Sequence, residues 1–238
     1  MTARFKKLGL ALMVAGLAFV LVGGYTFVKT QEGAKSLQAF STVENVTLKY
    51  NDQGQLTDGG KVEGAVAIMS LLQNDWGYPV VAADLNPNDP VVNTATEYMY
   101  QMATVTEHTL NAKVTVTLPA DVTAANGQVF KAGDYEFQNT GKYWTGFDRT
   151  NPIEALAREK VWTGTALALV GQLGVGTVTA SALQMGLGIA GIAGAMGGLL
   201  LLFGLGLIWA ARPETEKVHE TEKRPQTGKV LEPAKLSV

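Results

Sequence analysis

The chain of 238 residues contains no cysteine. That excludes disulfides, thiolate metal sites and cysteine nucleophiles, and it leaves the redox compartment open. Histidine is almost as scarce: His108 and His219 are the two in the chain. Charge is missing over a long stretch, since residues 161–211 hold 51 positions without one ionisable side chain. A bilayer span needs only about 20 apolar residues, so this stretch reads as a membrane element with length to spare. Basic residues are scattered rather than clustered, which excludes a nucleic-acid footprint. No charge interrupts the apolar stretches, which argues against a proton or ion pathway through them.

What is present gives topology. Residues 181–211 form the stronger half of the long stretch and predict a transmembrane helix. Trp209 suits the membrane–water interface, and Arg212-Pro213 supplies a stop. Gly186, Ala190, Gly194 and Gly198 recur every four residues and predict a small-residue face for helix packing. Residues 8–28 are uncharged and follow Arg4, Lys6 and Lys7. They predict the other transmembrane helix, an uncleaved anchor rather than a signal peptide, because apolar residues continue past Gly23-Gly24. Gly9, Gly16 and Gly23 fall seven apart on one face and are expected to pack against the second span. Residues 161–180 are weaker, with Thr163, Thr165, Gln172, Thr177 and Thr179 among glycines. They read as an interfacial or stalk helix, with a third span turning near residues 174–176 as the rival.

Charge orients these elements. Residues 1–7 carry three basic side chains and no acid, residues 29–160 carry ten basic and sixteen acidic ones, and residues 212–238 carry six basic and five acidic. The positive-inside rule places both termini in the cytoplasm and the acidic middle outside, which two spans satisfy and three do not. Residues 212–238, with mixed charge and three prolines, are expected to be a disordered cytoplasmic tail.

Residues 29–160 are expected to fold as an extracytoplasmic α+β domain on the helical membrane base. Residues 30–42 suggest a short helix. Alternation of Val46, Leu48 and Tyr50 suggests a strand. Ala65, Ile68, Met69, Leu72 and Trp76 fall at helical spacing and predict a core face. Asp89-Pro90 reads as the start of a helix to about Leu110, with Ala95, Tyr98, Met99, Met102 and Val105 inward. Residues 113–118 and Tyr135–Phe137 suggest strands, Asn126-Gly127 a tight turn, and Asn151-Pro152 a capped helix leading into Val161.

Candidate chemistry is thin. Glu97, Gln101, Thr104 and His108 share a helix face, but Thr104 breaks metal-ligand spacing and a solvated polar face explains them. The loop from Asp84 to Pro90 is rich in oxygen ligands, yet lacks the glycine and the bidentate glutamate of a hand-type calcium loop. No phosphate cradle or nucleophile motif is present. No catalytic, cofactor-binding or metal-ligating residue is therefore assigned.

The runs GGYTFVKTQEGAKSLQAFS (23–41), EGAVAIMSLLQNDWGYPVV (63–81) and LNPNDPVVNTATEYMYQMATVTEHTL (85–110) resemble those of a group of uncharacterised actinobacterial membrane proteins. Some of that group carry the label aromatic ring-opening dioxygenase. That chemistry holds iron with two histidines and a carboxylate, and the middle region offers His108 alone, so the label carries no residue over. The resemblance implies a cell-envelope protein of the plasma membrane. The expected function is non-enzymatic: an accessory or scaffold subunit of a membrane complex, in contact with lipids and other integral membrane proteins. The alternative is a membrane-anchored module that binds a lipid or small ligand outside the cell, using Trp76, Tyr78, Tyr143 and Trp144.

Overall fold

A computed structural model of the chain describes residues 2–212. The expectation for the tail beyond Arg212 lies outside the described residues. Five α-helices and four short strands follow in the order α1 (Thr2–Glu44), α2 (Val62–Ser70), α3 (Ala95–Leu110), β1 (Lys113–Leu118), β2 (Val122–Thr123), β3 (Val129–Phe130), β4 (Gly133–Gln138), α4 (Pro152–Val161) and α5 (Gly164–Ala210). Helices α1 and α5 are both long and apolar enough to cross a membrane, and a small α+β region lies between them in sequence. The chain divides into two compact units, one of Met1–Phe27 with Gly188–Val238 and one of Val28–Leu187.

In the first unit α1 and α5 run antiparallel, backbone against backbone. A Cβ on Gly9 would come within 2.7 Å of the Gly204 carbonyl oxygen, one on Gly16 within 2.8 Å of that of Gly197, and one on Gly23 within 3.0 Å of that of Ala190. Both lines step by seven residues, 9–16–23 against 190–197–204. The other faces point outward, with Leu10, Val14, Leu17, Leu21, Ile192, Leu202 and Phe203 exposed. Only 17% of the most apolar window of each helix is buried. A helix apolar on every side that is not a protein core requires an apolar surrounding.

Gly9, Gly16, Gly23 and Ala190 lie on this contact line, whereas the four-residue stripe does not continue along it. Cβ positions on Gly194 and Gly198 meet nothing within 4 Å, although the Gly194 backbone nitrogen is 2.9 Å from where a Gly23 Cβ would sit. Each four-residue step turns about 40° past a full helical turn, while a seven-residue step falls only about 20° short of two turns. A stripe in steps of four therefore walks off the contact line. Gly186, Ala190 and the Gly194 backbone meet α1, Gly198 does not, and Gly197 and Gly204 join Ala190 on the contact line.

In the second unit the same pairing continues: Gly186 faces Thr30 and Gly33 faces Leu183. Helix α1 runs unbroken through the segment expected as a separate short helix, and ends at Asn45, whose φ of 51° is a left-handed stop. Helix α5 likewise runs without a turn at residues 174–176. The strands form two two-stranded sheets: β1 pairs antiparallel with β4, Val116 opposite Tyr135, and β2 pairs with β3 across the Asn126-Gly127 turn. Ile68, Leu72, Ala103, Val116 and Ala157 form the centre of the core. Residues 46–50 form isolated bridges rather than a full strand; Leu48 donates its N–H to the Pro90 carbonyl and Val92 donates to that of Val46.

That pairing also corrects the start of α3. Val91 forms an isolated antiparallel bridge with Thr47, and the helix begins at Ala95 under a capping box in which Thr94 accepts from the Glu97 N–H and Glu97 accepts from the Thr94 N–H. Two satisfied donors favour this start over the proline signal five residues earlier. Asn151 caps α4, its side chain accepting from the N–H of Ile153 and Glu154. Helix α4 does not run into α5. It stops at Trp162, and Thr163 caps the next helix by accepting from the Ala166 N–H.

Leucine at Gly16 or Gly197 is expected to weaken the helix pair by about 1–3 kcal/mol, the usual cost of overpacking. Leucine at Gly24 or Gly198, where a Cβ meets nothing, should stay within about 0.5 kcal/mol of wild type. Thermal unfolding of the four variants in one detergent measures the contrast. Equal loss in all four would reject the contact line.

Candidate functional site

Two of the concavities in the second unit are lined mainly by apolar and aromatic side chains. The first is a groove of about 450 Å³ walled by α1, α3 and α5, with Leu37, Phe40, Val92, Leu173 and Val175 supplying most of its surface. Tyr98 crosses its floor. The Tyr98 ring packs directly on α5, where a Cβ on Gly176 would lie 2.5 Å from the ring. Its hydroxyl is hydrogen-bonded to the Ser41 hydroxyl at 2.8 Å, which fixes the ring and satisfies both groups inside an apolar site. Glu44 is the one charged side chain in the lining. The volume falls within the range of small-molecule sites, about 300–1,000 Å³.

The second is an aromatic cleft of about 880 Å³ on which three of the four tryptophans converge: Trp76, Trp144 and Trp162. Local structure places each of them. Helix α2 ends in a π-turn, Leu71–Asp75, with Trp76 donating its backbone N–H to the Leu71 carbonyl, and Gly77 at φ 63° then turns the chain away. Trp162 sits at the break between α4 and α5. Tyr143 and Trp144 belong to a loop fixed by Asn139, which is fully buried. Asn139 donates to the carbonyls of Thr109 and Lys142 and accepts from the Lys142 N–H.

The rings also hold one another. Trp76 donates its indole N–H to the Tyr143 hydroxyl at 3.0 Å, and Trp162 donates to the Lys142 carbonyl at 3.1 Å. Tyr143 stacks on Trp162, with centroids 5.9 Å apart. The Arg158 guanidinium lies 4.2 Å from the centroid of the Trp144 ring. Of the four aromatic residues singled out in the sequence, Trp76, Tyr143 and Trp144 line this cleft and Tyr78 does not. Trp162, Met99 and Met102 join them. Trp162 was hidden because it lies inside the long uncharged stretch and reads there as membrane.

The polar face of α3 departs from expectation. His108 is exposed, and its Nε2 lies 2.7 Å from Asp58 Oδ2. Glu97, expected on the same solvated face, is only 1% exposed, because its carboxylate turns back to accept from the N–H groups of Asn93 and Thr94. Burial pushes its carboxyl above the ordinary 4.5, and the backbone hydrogen bonds offset part of that rise. Burial, aided by the Glu97 charge, holds the Tyr50 hydroxyl at about 12. Burial raises Tyr100 as well, followed by the Asp58 and Tyr50 contributions. Both hydroxyls are buried without a partner.

In the oxygen-rich loop the Asn86 side chain accepts from the Asn88 N–H, and the Asn86 carbonyl accepts from the Asp89 N–H. Asp84 Oδ2 is buried without a partner. Among the described residues no three or more His, Asp or Glu side chains come together as a metal cluster.

No family model matches the chain, and neither a curated protein nor a solved structure shows significant similarity to it.

The Glu97 environment sets a pH dependence. A carboxyl raised in the folded state favours the protonated fold, so its contribution to stability is fully present below the unfolded value of 4.5 and is lost as pH rises through the folded value. The exposed Asp121 and Asp148, both lowered chiefly by side-chain hydrogen bonds, act in the opposite direction. Glu97→Gln keeps the acceptor oxygen and removes the titration. Subtracting the unfolding midpoints of the variant from those of wild type across pH 4–7 should leave a difference that falls as pH rises; a flat difference would refute the assignment.

Proposed function

We propose that the chain is a non-enzymatic, two-span protein of the plasma membrane that presents its α+β region outside the cell and binds an apolar chain there. The apolar groove over Tyr98 carries this reading. Its walls are almost wholly carbon, its floor is preformed by the Ser41–Tyr98 hydrogen bond, and its size suits one chain of an amphiphile. No lysine or arginine lines it, and Glu44 is its charged group. A phosphate or carboxylate at that mouth would meet like charge, which favours a neutral or amine-bearing amphiphile.

Support for the membrane placement comes from the basic N-terminal residues, the acidic middle and the outward apolar faces of α1 and α5. A second reading, an accessory or scaffold subunit of an envelope complex, draws on outward glycines: Cβ positions on Gly188, Gly191 and Gly198 meet nothing within 4 Å. A further helix from another membrane protein would find an unobstructed backbone there. The small residues on the inner line are already used within the chain itself, which moves the balance toward ligand binding.

Purification of the full chain in mild detergent, followed by native mass spectrometry, should find an amphiphile retained at one per chain. Val175→Trp fills the groove and should abolish retention; Val178→Trp, also exposed on α5 but outside the groove, should not. A fixed set of co-purifying membrane proteins with no retained amphiphile would favour the accessory subunit.

The absence of cysteine makes orientation directly measurable. Asn126→Cys should react with a membrane-impermeant maleimide on intact cells, and Arg4→Cys only after lysis. The reverse pattern would invert the topology.

A further inference from the structure

We propose that the aromatic cleft is a second binding site, one that recognises a quaternary ammonium group. The cleft shares no lining residue with the apolar groove, so the inference stands whether or not the groove holds a chain. Four aromatic rings, Trp76, Tyr143, Trp144 and Trp162, border one concavity beside the carboxylate of Asp75. Aromatic rings carry negative charge on their faces, and a ring-lined site with one carboxylate attracts a diffuse cation that brings no N–H donors of its own. A methylated ammonium has that character: positive, apolar at its surface and weakly hydrated.

Charge and hydrogen bonding narrow the ligand further. No lysine or arginine lines the cleft. The two cations nearby are neutralised within the protein, Lys142 by Glu154 and Arg158 by Glu159. Asp75 makes no ion pair among the described residues, so the balance at the cleft is negative. The Arg158 guanidinium covers one face of the Trp144 ring, so that face is not open to a ligand. The indole N–H groups of Trp76 and Trp162 are both spent inside the protein, and the polar groups left in the lining are the Trp144 indole and the hydroxyls of Thr106 and Thr145. Leucine, valine and methionine side chains complete the lining around the rings and Asp75.

The rings are in place before any ligand arrives. The π-turn, the α4–α5 break and the Asn139 bonds each fix one part of the wall. A site that needs no ordering retains more of its interaction energy as affinity.

The test uses the full chain in a nonionic detergent, titrated with choline, with tetramethylammonium and with the neutral carbon isostere of choline. Tryptophan fluorescence is the readout, since three of four indoles border the cleft. Choline and tetramethylammonium should give a saturable change, and the isostere a response about fivefold weaker or less, the scale of a cation–π contribution. Asp75→Asn, an exposed and conservative change, should weaken choline about fivefold and leave the isostere unaffected. Equal binding of choline and isostere, or no saturable response to either cation, would overturn the proposal. Nanodiscs then distinguish the source. If phosphatidylcholine discs block the free-choline response while phosphatidylglycerol discs do not, the group is a lipid headgroup; if neither blocks it, the ligand is a free solute.

Discussion

Contact between two helix backbones is the interaction on which the rest depends. In hydrocarbon a leucine gains nothing by turning from lipid toward protein, so two spans associate only where close packing offers more than lipid does. Glycine removes the Cβ that would hold the backbones apart. The lines 9–16–23 and 190–197–204 place such positions opposite each other at each double turn. The chain leaves α1 at Glu44 and enters α5 at Gly164. Within the second unit the two helices are again in contact, at Gly186 with Thr30 and at Gly33 with Leu183. The Tyr98 floor of the groove depends on the same device at Gly176.

Much of this was legible in the sequence where one physical signal acted alone. The uncharged runs gave both long helices, and Asn151-Pro152 gave the start of α4, because a cap needs only local atoms. Ile68 and Leu72 were readable as core from spacing. Where two signals competed, the reading went to the wrong one. Proline at position 90 suggested a helix start, but the capping box at Thr94 satisfies two donors and leaves residues 90–92 free to pair with residues 46–48. Steps of four among small residues drew attention to Gly198, where a Cβ meets nothing, while the seven-residue register already seen in α1 pointed to Gly197 and Gly204. The aromatic cleft was half visible. Trp76 and Trp144 were singled out, but nothing in the sequence places them beside Trp162, because the loop geometry that does so rests on Asn139, a residue with no motif around it.

The buried polar groups of α3 show how such a region tolerates them. Glu97 is inside because its carboxylate terminates two otherwise orphaned backbone donors, at the cost of a perturbed ionisation. Tyr50 and Tyr100 have hydroxyls with no partner, and burial keeps both as neutral phenols. Satisfaction is thus concentrated where it holds secondary structure in place, and the tyrosines serve mainly as packed rings.

Asn139 gives this small region an unusual property. Loops that carry recognition residues are ordinarily the mobile part of a fold, but the loop bearing Tyr143 and Trp144 is tied by three hydrogen bonds to a side chain with no exposure at all. Its amide at Lys142 is hydrogen-bonded to the buried Asn139 side chain, which also holds the Thr109 carbonyl, so opening the loop means disturbing the end of α3. A wall of this kind selects by size. It cannot swing outward to follow a larger head group, so the distance between fixed rings, rather than any closing motion, sets the upper limit on what the cleft admits.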